Sequence, residues 1–286
     1  MDIPFLGATS GIARSTLAGP SYRRVTRGVF VRADAPDDTL TRVRAALLIS
    51  PAAVICGRTA AVLLGLPVDD DGKVHLCLGQ TAPRSERPLI RVHRLDIAAD
   101  EATTQSGIAL TTGPRTLSDL AATMKPRLGF EELVAVADVV LRGHGHRALD
   151  EAVERAWGRP GVVRLCELVQ LADAGADSPA ETRMRLRLHA AGFTGLRHGV
   201  VVRDAWGTLL SEPDLADPEA RVAVQHDGAH HFTDAARSAF DVARDERTRA
   251  DGWEVVVSTV HDDRYPEQLV AKVAAAYARS ARLRAS

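Results

Sequence analysis

The tetrad Ala176-Asp177-Ser178-Pro179 divides this 286-residue chain into two differently ordered parts, and no other local signal constrains the fold as much. Ahead of it, segments 114–124, 130–142 and 161–174 repeat apolar residues at helical spacing; beyond it the order becomes helix, hairpin, helix, strand, helix. Pro179 marks a helix start, because the N–H that proline lacks would be unpaired in a first helical turn anyway. The chain exceeds one ordinary core, and the expected division is 1–50, 51–175 and 176–286. The expected class is an α+β or α/β multidomain protein, with helices on both sides of a small mixed sheet after Ser178.

Apolar residues make up 45 % and charged residues 26 %, the balance of a folded globular chain. The formal charge of −1 places any electrostatic footprint in a local region rather than in the whole chain. One such region runs from Ser10 to Arg32, with five arginines (Arg14, Arg23, Arg24, Arg27, Arg32) and no acid. A short helix there precedes two strands that flank the turn Thr26-Arg27-Gly28, which is the outline of a winged helix. Arg14, Arg23, Arg24 and Arg27 are the candidates for contacts to DNA phosphates. The region 51–175 reads as α/β, with a helix over Arg58–Leu64 and strands over Val74–Leu78 and Ile90–His93. Gly143-His144-Gly145-His146 reads as a loop between helices rather than as a metal site, since no third ligand lies at suitable spacing.

Cys56, Cys77 and Cys166 are odd in number and lack a C-x-x-C pair, which argues against a disulfide framework and a zinc site. The most apolar stretch, Ala45–Cys56, is interrupted by Ser50-Pro51 and falls short of the about 20 residues that span a bilayer. Asp2 and Pro4 stand where a secretory leader would be basic and then apolar. A cytoplasmic protein without a membrane partner is the expectation. No phosphate-binding loop, zinc-protease, serine-hydrolase or dinucleotide fingerprint is present.

The chemistry concentrates after Ser178. With Pro218 and Glu219 as turn residues, Asp217 would face Ala220 and Asp214 would face Ala223. Ala223 and Gln225 share a strand face, so Asp214 and Gln225 would come within reach of one metal ion. Hydrolysis of a phosphodiester uses such an ion to neutralise the scissile phosphate and to generate hydroxide, and Mg²⁺ takes a few carboxylate oxygens while keeping several waters. Asp214 is the natural first ligand, and Glu181, on the preceding helix, the second.

The motifs Ser178-Pro179-Ala180-Glu181, Asp214, Arg221-Val222-Ala223-Val224-Gln225-His226-Asp227-Gly228, His231, Arg244-Asp245 and Gly252-Trp253-Glu254-Val255 together resemble the very-short-patch-repair (Vsr) endonuclease-like group of the PD-(D/E)XK nuclease superfamily. The resemblance covers Ser178 to the C-terminus and implies a restriction-endonuclease-like α/β/α domain. It assigns Glu181 to the acid of the first helix, Asp214 to the metal-binding acid, His231 to a histidine that assists the attacking water, and Asp245 to an acid on the following helix. Gln225 departs from the pattern, which usually has glutamate there. An amide oxygen still coordinates, but the lost charge weakens attraction for Mg²⁺ or Mn²⁺ and removes a candidate base.

Tyr22–Val31, with Leu110-Thr111-Thr112-Gly113-Pro114-Arg115-Thr116-Leu117-Ser118-Asp119-Leu120-Ala121, resembles the AbiEi group of antitoxins and repressors, in which a winged helix binds DNA. Together the resemblances imply a DNA-binding protein with a metal-dependent nuclease domain. The alternative is a catalytically degenerate antitoxin or transcription regulator that binds DNA or a partner toxin without cleavage.

Structural roles remain open for several of these residues. Ser178-x-x-Glu181 is a capping-box pattern, Asp214 could be a solvated strand-entry residue, and Asp227-Gly228 is a common turn dipeptide. Asp245 and Arg249 stand at ion-pair spacing on a helix, and His226 suits a paired sheet position.

Overall fold

In the computed structural model, residues 3–79, 87–122, 129–227 and 235–285 are described, with the backbone alone over 235–241. The chain forms two compact units, Met1–Ala172 and Asp173–Ser286. Both mix helices with small sheets, which makes the protein an α+β multidomain chain. Among the described residues, no helix is long and apolar enough to cross a membrane.

The first unit opens with β1 (Phe5–Leu6), α1 (Arg14–Leu17), β2 (Tyr22–Thr26) and β3 (Val29–Arg32), joined in an antiparallel sheet of order β1-β3-β2. Gly28, at φ 84°, supplies the left-handed residue that lets β2 turn into β3. The helix α2 (Thr39–Ile49) follows, its first turn capped by the Asp38 carboxylate, which accepts from the Thr41 amide at 2.7 Å.

Next come β4 (Val54–Ile55), α3 (Gly57–Leu63), β5 (Val74–Leu78), β6 (Ile90–Arg94), β7 (Ala102–Gln105) and β8 (Ile108–Thr111). They form a five-stranded mixed sheet of order β6-β5-β4-β8-β7. Val74, Leu76, Ile55 and Leu110 bury their side chains from this sheet against Val43 and Ala60 of α2 and α3. Each such apolar side chain contributes roughly 1.5–3 kcal/mol by leaving water.

The helices α4 (Gly113–Ala122), α5 (Phe130–Ala156) and α6 (Val162–Leu171) complete the unit. As expected, Gly143–His146 lies at a break between helices: α5 consists of two helical pieces joined across Gly145, whose φ of 77° and ψ of 166° are not helical.

The second unit begins with α7 (Pro179–Ala190) and continues through β9 (Val202–Arg203), β10 (Leu209–Ser211), β11 (Leu215–Asp217) and β12 (Val222–Asp227). Then come α8 (Ala235–Ala250), β13 (Glu254–Thr259), α9 (Val260–Arg264) and α10 (Pro266–Ala285). β11 pairs antiparallel and β13 parallel with the central β12, so the expected small mixed sheet is present. Alternation then sorts the side chains. Leu215, Val222, Val224 and Val256 pack on Met184 and Leu188 of α7 and on Leu269, Val273 and Ala276 of α10. Ala216, Ala223 and Val255 point to the opposite face, beside Trp253.

The arm of the hairpin that leads into the turn is two strands, β10 and β11, separated by Glu212–Asp214. Pro213 has no N–H to give to a ladder, and the chain breaks its pairing there.

Candidate active site

The turn between β11 and β12 sets the geometry. Asp217 pairs with Val222, Ala216 with Ala223 and Leu215 with Val224, so the connection holds four residues, Pro218 to Arg221, instead of two. The Asp217 carboxylate accepts from the amides of Glu219 at 3.0 Å and Ala220 at 2.9 Å, and Arg221 takes a left-handed φ of 51°. The expected pairing of Asp214 with Ala223 is therefore off by two positions. Continuing the observed register by one residue puts Asp214 level with Gln225 itself, on the face of Ala216 and Ala223.

Asp214 is held by the backbone of the neighbouring strand: its Oδ2 accepts from the His226 amide at 2.5 Å. Burial pushes its carboxyl up to about 6; the His226 hydrogen bond opposes that rise and the charge of Glu181 adds to it. Asp214 is thus a half-buried acid that feels a second acid, and not a solvated strand-entry residue.

Glu181 takes the capping role. Its amide donates to Ser178 Oγ at 3.2 Å, while its carboxylate accepts from Ser178 Oγ at 2.9 Å and from the Asp177 amide at 2.8 Å. The cap fixes the carboxylate at the N-terminal end of α7, within electrostatic range of Asp214.

Gln225 and Asp245 are brought together. Gln225 Nε2 donates to Asp245 Oδ1 at 3.1 Å, and Asp245, buried at 7 % exposure, also accepts from Arg244 Nη2 at 3.2 Å. Arg249, the expected ion-pair partner of Asp245, instead donates to the Val255 carbonyl. Arg244 Nη2 also donates to Gln225 Oε1. Arg244 is therefore a site residue that the sequence showed only as part of a motif. The position of His231 lies outside the described residues, as does Gly228.

Two histidines border Asp214. His226 is a strand residue whose ring Nδ1 is buried without a hydrogen-bond partner among the described residues. His198, which carried no sequence signal, lies beside the Asp214 backbone, which favours its charged form. It reaches that position because Arg197 and Ala216 exchange backbone hydrogen bonds at 3.0 Å, laying the 197–198 segment along β11. Burial lowers its pKa, against the charge of Asp173.

The oxygen donors assembled here are two carboxylates, Asp214 and Glu181, and the amide of Gln225. Among the described residues, no group of three histidine, cysteine, aspartate or glutamate side chains could hold a metal ion.

In the first unit, Arg14, Arg24 and Arg27 are exposed on α1 and on the β2–β3 hairpin. Arg23 is not grouped with them, since its guanidinium folds back to Asp37 at 3.4 Å and to the Pro36 carbonyl at 3.2 Å.

No protein-family model matches the chain. Over 258 residues it is 27 % identical to a protein described as uncharacterized in each of two strains of Mycobacterium tuberculosis, a similarity that covers 88 % of this chain and 90 % of each relative. The matched length exceeds either unit alone, so the similarity extends over both.

Proposed function

We propose that this is a DNA-binding protein whose second unit follows the Vsr-like PD-(D/E)XK nuclease plan and hydrolyses a phosphodiester bond, with Asp214 as its central acid. The observation that carries the reading is the electrostatic state of Asp214: a half-buried carboxyl, raised to about 6, beside the charge of Glu181. Two neighbouring acids in a desolvated place form a site whose repulsion a divalent cation would relieve.

The donor chemistry fits Mg²⁺ or Mn²⁺. Carboxylate oxygens of Asp214 and Glu181 and the amide oxygen of Gln225 are hard ligands, few enough to leave room for waters. Such an ion, when bound, neutralises phosphate charge and lowers the pKa of water. The chain's own groups position the site: the His226 amide orients Asp214, the cap of α7 orients Glu181, and Asp245 holds the Gln225 amide. His231 is assigned the role of orienting or deprotonating water on the resemblance alone. In the first unit, an AbiEi-like winged-helix region would present Arg14, Arg24 and Arg27 to DNA phosphates, with Arg23 bracing the hairpin.

One contact favours a second reading. The Arg244 guanidinium donates to Gln225 Oε1, the oxygen that a metal would need. An arginine in that place suits a regulator or antitoxin that keeps the fold to bind DNA or a partner toxin without cutting.

The discriminating experiment incubates the purified protein with plasmid and with short mismatched, nicked or single-stranded DNA, in Mg²⁺ or Mn²⁺, beside Asp214→Ala. Cleavage lost in the variant supports the nuclease. Binding without cleavage of any substrate supports the regulator, and neither binding nor cleavage removes both readings.

A further inference from the structure

A cleft of about 1000 Å³ opens in the first unit between the edge strand β6, α4 and the C-terminal part of α5. Its charge is unlike that of the chain as a whole, which stands at −1. Lys73, Arg91, Arg94 and Arg159 line it, are exposed, and have no carboxylate partner among the described residues. Arg155, on the same wall, is already paired with Asp100 at 2.7 Å.

The floor is preorganised. Arg115, 5 % exposed, donates to Glu101 at 2.5 Å, to Asp119 at 2.9 Å and to the Asp96 carbonyl at 3.2 Å, so two of the three acids lining the cleft, Glu101 and Asp119, are engaged with this cation, and the third is the exposed Asp96. The cations at the rim are left facing solvent. Between them the walls are apolar, formed by Pro88, Val92, Ala152 and Pro160. On one side His93 stacks on His75 at a ring separation of 5.1 Å, and His75 is in turn hydrogen-bonded to Asp71 at 3.2 Å.

The geometry points to a binding site for a nucleotide, its phosphates held by Lys73, Arg91, Arg94 and Arg159 and its base or sugar against Pro88, Val92 and Pro160. Guanidinium groups match phosphate oxygens in bidentate fashion, and several cations around one concavity match closely spaced negative charges. Apolar wall between the cations accommodates a flat ring, which a bare inorganic anion would leave uncovered. The same chemistry is offered by a free nucleoside polyphosphate and by a nucleic-acid strand, and the cleft is separate from the phosphodiester site proposed around Asp214.

The test uses the full chain and measures binding of ATP and of a short single-stranded oligonucleotide, with pyrophosphate and polyglutamate as competitors. Saturable binding of either nucleotide probe, weakened on the order of tenfold by Arg91→Ala with Arg94→Ala and weakened also by Lys73→Ala, is expected. For the oligonucleotide, the double substitution lowers the slope of log affinity against log salt by about 1.4, at roughly 0.7 per single-strand phosphate contact. Tighter binding of ATP identifies the free nucleotide as the ligand, and tighter binding of the oligonucleotide identifies the strand. Asp214→Ala, and separately Arg24→Ala with Arg27→Ala, leave ATP affinity unchanged, so failure of the nuclease or winged-helix reading is distinguishable from failure of this one. Absence of saturable binding for both probes, affinity indifferent to Arg91 and Arg94, or polyglutamate competing better than pyrophosphate would overturn the proposal.

Discussion

Arg244 donates to the side-chain oxygen of Gln225, and the Gln225 amide donates in turn to Asp245 at 3.1 Å. This chain of contacts ties α8 to the middle of the β11-β12-β13 sheet next to Asp214. It also gives Gln225 a structural reason to be an amide. A glutamine presents an acceptor to the guanidinium and a donor to the carboxylate at once, whereas a glutamate at that position offers only acceptors and would face Asp245 as a like charge.

Gln225→Glu therefore trades one hydrogen bond for one formal charge. The variant gains a third acid near Asp214 and loses the donor to Asp245, so without divalent ions it is less stable than the parent by about 1 kcal/mol or more. With millimolar Mg²⁺ or Mn²⁺ the order reverses, because the added carboxylate strengthens cation binding and a bound ion stabilises the folded state. Thermal unfolding with and without the ion measures both effects. An identical metal response in parent and variant would remove position 225 from any cation site.

Asp214 makes stability depend on pH in a direction opposite to that of a salt-bridged carboxylate. Burial raises its carboxyl in the folded state to about 6, above the ordinary aspartate value of 3.8. Below 3.8 the group is neutral in both states and costs nothing; between 3.8 and 6 the unfolded chain ionises more readily than the folded one; above 6 the full penalty applies. Asp214→Asn keeps an acceptor for the His226 amide and removes that penalty. The variant is expected to match the parent near pH 3.5 and to exceed it well above pH 6 by on the order of 3 kcal/mol. Urea unfolding across this range reads the difference, and a gap independent of pH would contradict the assignment. By the same linkage, affinity for Mg²⁺ rises as pH passes through 6, since the ion binds the ionised carboxyl.

Legibility differed along the chain for physical reasons. The helix starting at Pro179, with Ser178 as its cap, was readable because capping is a short-range matter of three or four residues. The strand β5 announced itself by the alternation in Val74-His75-Leu76-Cys77-Leu78, and β12 by the apolar start Val222-Ala223-Val224. The β7–β8 hairpin did not, since Thr103, Thr104 and Gln105 are exposed and carry no alternation, although the left-handed Ser106-Gly107 pair turns it. The register at Pro218 misled because Pro-Glu resembles a two-residue turn, while the real loop is set by the Asp217 side chain capturing two amides. His198 depends on a bridge to Ala216, a contact between segments that no local pattern encodes.

The Arg115 cluster gives a prediction for the first unit. Arg115, Glu101 and Asp119 are all below 10 % exposure, so Arg115→Ala leaves two buried carboxylates without their cation. Breaking such a cluster from one side costs about 3–5 kcal/mol, far more than the intact arrangement contributes. Burial already raises the Asp119 pKa, and without the guanidinium it rises further, so the loss is smallest in acid and largest near neutral pH. Denaturant unfolding at pH 5 and pH 8 tests this, and a cost below about 1 kcal/mol at both would show that the carboxylates find other partners.

The turn that sets the site register rests on Tyr277. Its hydroxyl donates to Asp217 Oδ2 at 2.8 Å, while Oδ1 of the same carboxylate holds the amides of Glu219 and Ala220. Gly195 packs against this carboxylate so closely that an added Cβ would come within 2.1 Å of Oδ2. Tyr277→Phe leaves one oxygen of a buried acid unpaired and is expected to cost about 1–3 kcal/mol. Gly195→Ala must displace the carboxylate itself, which releases the Tyr277 bond and loosens the turn amides together. Its cost is expected to exceed that of Tyr277→Phe, and the two substitutions combined should cost less than their sum because both act on Asp217. Unfolding of the two single variants and the double variant measures the coupling. Full additivity would mean that Gly195 and Tyr277 act on the turn independently, and the register beside Asp214 would then need another anchor.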